Sequence, residues 1–258
     1  MAITIKSERE IELMAEAGKI LERVHNELEK ALRPGMSTKD IDTLGEEIIR
    51  SYGCIPSFLN YNGYPASICV SVNQEVVHGI PDKHRIIQEG DIVSLDAGVI
   101  YKGYHSDAAR THAVGEVSEE AKKLIQVTKE SFFEGIKFAK AGNHLFDISG
   151  AIGRYAEERG YGVVRDLCGH GIGTALHEAP EIPNYEMKRK GVLLKAGMTL
   201  AIEPMINMGA RNVFQMADGW TIKTRDHLPA AHFEHTLAIR KGEADILSTF
   251  EYIEDRKV

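Results

Sequence analysis

An α+β fold is predicted, with helices gathered on one face of a curved, largely antiparallel sheet. Three observations lead there. A long helical stripe opens the chain, short apolar segments bounded by turn residues follow, and the whole pattern recurs once. Helices set apart from antiparallel strands are the layering of an α+β domain.

The first helix is read from Ile11, Met14, Gly18, Leu21, His25, Leu28 and Leu32, which follow Ser7 at helical spacing. Arg33-Pro34-Gly35 stops it. Ser118 with Glu120, then Ile125, Phe132, Ile136 and Ala139, starts a counterpart. A shorter helix is expected in each half, near Thr38–Tyr52 and near Leu145–Arg159. Strands are expected at Ile68–Val72, Ile92–Val99, His105–Val114, Thr199–Met205, Val213–Ala217, Trp220–Thr224 and Phe233–Arg240. Asp218-Gly219 forms a hairpin turn between two of them. His25, inside an apolar stripe, reads as a packed core histidine.

The recurrence has an offset of 107 positions, the separation of Gly35 and Gly142. The same offset pairs Ile41 with Ile148, Gly53 with Gly160, Gly90 with Gly197, and Asp96 with Glu203. One such match is coincidence; several at one offset suggest related halves. The expectation is a single catalytic domain over residues 1–258, with halves of about 1–115 and 116–258. A period this long is not that of a solenoid.

A chain of 258 residues can bury a full core, and 43% hydrophobic with 27% charged residues excludes a disordered or fibrous class. The opening MAITIKSERE is charged where a secretory leader would be apolar, and no run approaches the roughly 18 apolar residues of a membrane span. Cys54, Cys69 and Cys168 are scattered and odd in number, which fits a reducing, cytoplasmic setting. A net charge of −7 argues against DNA binding, which needs a basic face, and leaves room only for a small basic patch that touches a ribosome.

The chemistry rests on acids placed where apolar residues are expected. Asp96 ends the apolar run that starts at Ile92, and Asp107 lies on the next strand beyond Lys102-Gly103. Folding that hairpin sets the two carboxylates opposite or diagonal, an unfavourable arrangement unless a cation lies between them. Alone, the pair is as well read as two strand ends facing water. Glu203 follows Thr199–Ile202 as Asp96 follows its run, and Glu234 interrupts the apolar string AAHFEHTLAI. A buried, unpaired carboxylate is costly, so four on four strands are better explained by a shared metal cluster. His170, in the glycine-rich CGHGIG, supplies a nitrogen; a flexible turn or an anion cradle is the plainer account of that string, though no phosphate-loop spacing follows it. Four carboxylates and one imidazole suit Mn, Fe or Co better than a thiolate zinc site.

Asp96, Asp107, His170, Glu203 and Glu234, in the strings DAG, HSD, GHGIG, IEP and HFEHT, resemble the ligand set of the methionine aminopeptidase family, which has the pita-bread fold. The resemblance covers nearly the whole chain and is to the short, bacterial type I form. It implies two divalent ions per chain, drawn from Co, Mn, Fe or Zn, with Asp107 and Glu234 bridging them. Asp96 would then bind one ion and His170 the other. It also implies that a hydroxide activated by both ions attacks the first peptide bond, with Glu203 as ligand and general base. His177 in LHEAP would donate to the oxyanion, and His78 in VVHGIP would contact the substrate near the leaving amide. Phe58, Tyr61, Tyr64, Cys69 and Trp220 would surround the methionine side chain, since sulfur against aromatic edges is favourable. Each of these is equally an ordinary core residue when taken singly.

Phe58 stands where many family members carry Cys, and Thr174-Ala175-Leu176 stands where Arg-Gly-Phe is commoner. Both bear on substrate range. The implied substrates are nascent polypeptide N-termini with a small second residue, met near the ribosomal exit tunnel by a cytoplasmic monomer that binds no membrane. The chain's own Met1-Ala2 satisfies that rule, so Met1 is expected to be removed in an active cell. Two rivals remain. Prolidase-type enzymes share the fold but carry a second His where Thr174 stands here, and a non-catalytic binder of nascent chains would have lost ligands.

Overall fold

The computed structural model describes residues 2–249, so Met1 lies outside the described residues. Four α-helices are described: α1 (Glu8–Ala31), α2 (Thr38–Ser51), α3 (Glu119–Ile136) and α4 (Leu145–Glu157). Ser7 caps α1, and Glu10 Oε2 returns a 2.7 Å bond from the Ser7 N–H. Ser37 and Asp40 repeat this capping box on α2, and Ser118 Oγ accepts from the Ala121 N–H to start α3. Leu21, Val24 and Leu28 of α1 are fully buried, each contributing on the order of 1.5–3 kcal/mol.

The helices rest on an eleven-stranded sheet. Its central path runs through Ile55–Pro56, Ile92–Tyr101, Tyr104–Ala113, Ala230–Ala238, Thr199–Ile202, Gly169–Gly171 and Glu178–Ile182, each antiparallel to its neighbour. A three-stranded sheet of Val213–Gln215, Ile222–Thr224 and Glu75–Val77 stands beside it. Strand side chains alternate between faces. Val93, Leu95, Ala97 and Val99 pack toward α1 and α2, while Phe233 and Leu237 pack toward α3 and α4. The residues between them, Asp96 and Glu234 included, point to the opposite, concave face. His25 is buried in α1 with Nε2 2.9 Å from the Ala108 carbonyl, so it bonds the sheet, as its place in the apolar stripe suggests.

The alternative of two strand ends facing water fails, since Asp96 and Asp107 lie inside the strands Ile92–Tyr101 and Tyr104–Ala113 and are buried. Two local expectations are corrected. The expected strand Thr199–Met205 breaks into Thr199–Ile202 and Met205–Asn207, because Pro204 has no N–H to continue the ladder. Trp220 is not on a strand but in the turn before Ile222, held there because Asp218 Oδ1 accepts from the Trp220 and Thr221 N–H groups at 2.9 Å.

Candidate functional site

Every residue singled out above for metal or substrate lines one cavity of about 390 Å³ on the concave face. Asn62 and Leu176 line it too, and neither was expected. Leu176 belongs to the departing Thr174-Ala175-Leu176 segment, so that departure does reach the cavity wall.

The register explains how the acids meet. Asp96 lies opposite Ala109 and Asp107 opposite Gly98, which makes the two carboxylates diagonal neighbours. Glu234 lies opposite Ala109 on the other side of the same strand. The Asp107 main chain is clamped by Thr236, whose Oγ1 accepts from its N–H and donates to its carbonyl, both at 2.9 Å. Glu203 follows Thr199–Ile202 directly, and its carbonyl accepts from Asn184 Nδ2 at 2.9 Å.

His170 sits on the short strand Gly169–Gly171. The glycines around it are not a flexible turn. A Cβ on Gly169 would lie 2.4 Å from the Ala201 carbonyl oxygen, and one on Gly171 would lie 2.2 Å from that of Ala179. Their absence of side chains lets three strands close around the ring. His170 Nδ1–H donates to the Gly171 carbonyl at 2.8 Å, leaving the Nε2 lone pair for the cavity. Nε2 lies 3.9 Å from Asp107 Oδ2 and 3.7 Å from Glu203 Oε1. Burial drives the His170 pKa down to about 3, so the ring is neutral and these are not ion pairs.

His232 was not foreseen. It shares the concave face with Glu234, two residues along the same strand, and is 2% exposed. Its Nε2 is 3.7 Å from Glu203 Oε2 and 3.8 Å from Glu234 Oε2. The alternation of AAHFEHT carried this signal, since every second residue from Glu234 shares its face.

The donor set fits cations. Asp96 Oδ1, Asp107 Oδ1 and Glu234 Oε1 are buried with no hydrogen-bond partner. Burial, first of all, raises the affinity of all four carboxyls for protons; it pushes Asp96 up to about 7, and mutual repulsion pushes Asp107, Glu203 and Glu234 further the same way. Among the described residues, no Lys or Arg lines the cavity to offset them. Two groups have donor atoms within 4.8 Å of one another: Asp107, His170 and Glu234, and Asp96, His232 and Glu234. A divalent cation relieves the repulsion that the protein leaves uncompensated.

The remaining wall is aromatic. Tyr64 and Trp220 meet edge to face with centroids 5.1 Å apart, and the Tyr64 hydroxyl donates to the Gly79 carbonyl at 2.9 Å. Cys69 is the strand partner of Asp96, which sets the apolar wall directly against the acids. Phe58 closes over Gly98, where a Cβ would lie 2.9 Å from the Phe58 ring. His78 has φ 58°, a left-handed conformation uncommon for a side chain of this size, and its ring lies 6.3 Å from that of Trp220. Backbone held this way is often found at functional sites. His177 stacks between Tyr61 and His170, at centroid distances of 5.2 and 4.1 Å. The Tyr61 hydroxyl lies 2.8 Å from His177 Nδ1. If the hydroxyl donates, the neutral ring carries its proton on Nε2. Next in the chain, Glu178 is anchored by Lys6 at 2.5 Å.

Comparison with known proteins follows the same lines. Residues 12–241 match the model of metallopeptidase family M24. The chain is 54% identical to a methionine aminopeptidase of Clostridium acetobutylicum, over 96% of this chain and 100% of that one. It is 50% identical to methionine aminopeptidase 1 of Bacillus subtilis, over 95% and 99%. A crystal structure of methionine aminopeptidase from Thermotoga maritima superposes with TM-score 0.94 at 46% identity, covering 96% and 100%. Prolidase from Pyrococcus furiosus shares the fold at TM-score 0.76 and 24% identity, with 66% of its own chain covered.

Proposed function

Because the chain belongs to metallopeptidase family M24, we propose that it removes the N-terminal methionine from nascent polypeptides whose second residue is small. One observation carries this reading. Two acid and imidazole groups sharing Glu234 lie in one cavity with an apolar wall of Phe58, Tyr64, Cys69 and Trp220. The pocket takes an unbranched thioether, and sulfur beside aromatic edges contributes about 0.3–1.5 kcal/mol. Seating that side chain sets the first peptide bond over the acids.

Asp96, Asp107, His170, Glu203 and Glu234 would hold two divalent ions, from among Co, Mn, Fe and Zn. Bound divalent ions supply a hydroxide near neutral pH and Lewis-acid pull on the scissile carbonyl. Glu203 takes the proton of the attacking water. His177, with its proton on Nε2, donates to the carbonyl oxygen as charge grows there. His78 contacts the substrate near the leaving nitrogen. His177→Ala should therefore lower turnover by roughly 10²–10³ while leaving metal content unchanged. Metal loss in that variant, or unchanged turnover, would remove His177 from this role; steady-state kinetics with elemental analysis decides.

The two-halves reading gains support from the paired glycines: Gly35, Gly53, Gly90, Gly142, Gly160 and Gly197 all have φ between 70° and 98°. We read the protein as one catalytic domain, a cytoplasmic monomer acting near the ribosomal exit tunnel. No helix among the described residues is long and apolar enough to cross a membrane.

The test is a peptide series Met-X-Met-Ser, with X from Gly to Arg. Small X should be cleaved fastest, because a long side chain at the crowded rim displaces the carbonyl from His177, and a shift of about 1 Å can cost roughly 10²-fold. Equal rates for Ala and Arg at X would sink the proposal. Cleavage of Ala-Pro peptides in preference would point to the prolidase-type activity, and cleavage of neither to a binding protein.

A further inference from the structure

We infer that His232 is a metal ligand, the nitrogen donor on the Asp96 side of the cluster, as His170 is on the Asp107 side. This rests on the metal-site reading above and extends its donor set to a residue outside the four acids and one imidazole already assigned.

The parallel is geometric. His170 Nε2 stands 3.9 and 3.7 Å from one oxygen each of Asp107 and Glu203. His232 Nε2 stands 3.7 and 3.8 Å from one oxygen each of Glu203 and Glu234. These separations are too long for hydrogen bonds. They suit donors that share a cation, since ligand bonds of about 2.0–2.2 Å set neighbouring donor atoms 3 Å or more apart. The two imidazoles thus flank Glu203 from either side, one per oxygen.

Burial strengthens the case. Both ring nitrogens of His232 are buried without a hydrogen-bond partner. A fully buried imidazole in that condition loses its hydration with nothing in return, which native structures rarely tolerate. A cation at Nε2 would supply the partner that this nitrogen lacks; Nδ1 has none among the described residues, where His170 Nδ1 has the Gly171 carbonyl. The main chain there is also braced. Thr111 Oγ1 accepts from the His232 N–H and donates to its carbonyl, both at 2.9 Å. Thr236 braces Asp107 in the same manner across the same pair of strands.

The plainer account is that His232 fills space behind Glu203. Histidine-specific nitrogen-15 labelling of the wild-type protein separates the two. On titration with Zn(II), the Nε2 resonances of both His170 and His232 should shift, with assignments from H170Q and H232N. In calorimetry, H232N and H232Q should each lower the affinity for the weaker Zn(II) at least about tenfold, since even a partner one layer beyond the metal is worth 10–100-fold. If only the His170 resonance moves and H232N binds both ions as tightly as wild type, His232 is not a ligand while the metal reading stands. If neither resonance moves, and H170Q also binds as wild type, the metal reading itself fails. H232Q serves for assignment if H232N does not fold, so the wild-type titration can still be read.

Discussion

Asp107→Ala and Glu234→Ala are each expected to abolish peptide cleavage and to lower the number of bound ions. Both carboxylates are buried, and Glu234 belongs to both donor groups while Asp107 belongs to one. Glu234→Ala should therefore weaken both ions, and Asp107→Ala one before the other. The chemistry lost is worth several kcal/mol, and each 1.36 kcal/mol is tenfold in rate, so turnover should fall by several orders of magnitude. Stability should move the other way. The protein without metal carries four mutually repelling buried carboxyls, so deleting one should leave its melting temperature unchanged or raise it. Wild type should gain on metal addition, by about 2.7 kcal/mol at a hundredfold excess over Kd, and the variants should gain less. Peptide cleavage assays, elemental analysis and thermal unfolding with and without Mn(II) measure these quantities. Retained activity with two ions bound would remove that residue from the cluster.

Much of this was legible in the sequence, for reasons that can be named. The two long helices announce themselves through period and caps, Ser7 and Ser118 each accepting from an N–H in the first turn. The long strands carry apolar runs, and Asp218-Gly219 does turn the chain between Val213–Gln215 and Ile222–Thr224. What was hidden is non-local. The strands Gly169–Gly171 and Glu178–Ile182 are rich in glycine and polar residues, with no intrinsic preference for extended structure. They form because glycine lets the backbone of neighbouring strands approach, which only the folded sheet reveals. Leu176 and Asn62 reach the cavity from loops, where no periodicity guides a reader. His232 is the opposite case. Its position was derivable from Glu234 by simple alternation, but a histidine in an otherwise apolar strand reads as core until both of its nitrogens are found unpartnered.

Glu203→Gln is expected to keep the fold and lose most turnover, roughly 10²–10⁴-fold, because an amide cannot accept the water proton. The substitution is close to isosteric, so the packing of Ile202 and Pro204 and the Asn184 bond to the residue-203 carbonyl should survive. Glu203 lies among the acids, and burial first, then the nearby Asp96, hold its carboxyl above the ordinary glutamate range until a cation offsets that charge. Its two oxygens face different imidazoles, His170 Nε2 and His232 Nε2, each at 3.7 Å. Gln can still offer one carbonyl oxygen, and so the loss in metal affinity should be smaller than the loss in turnover. That asymmetry distinguishes a base from a mere ligand: a base variant loses kcat with metal largely retained, and a ligand variant loses both together. Titration of activity against added metal resolves the two. Near wild-type kcat at saturating metal would rule Glu203 out as the base, and recovery of full activity by excess metal would reduce it to a ligand.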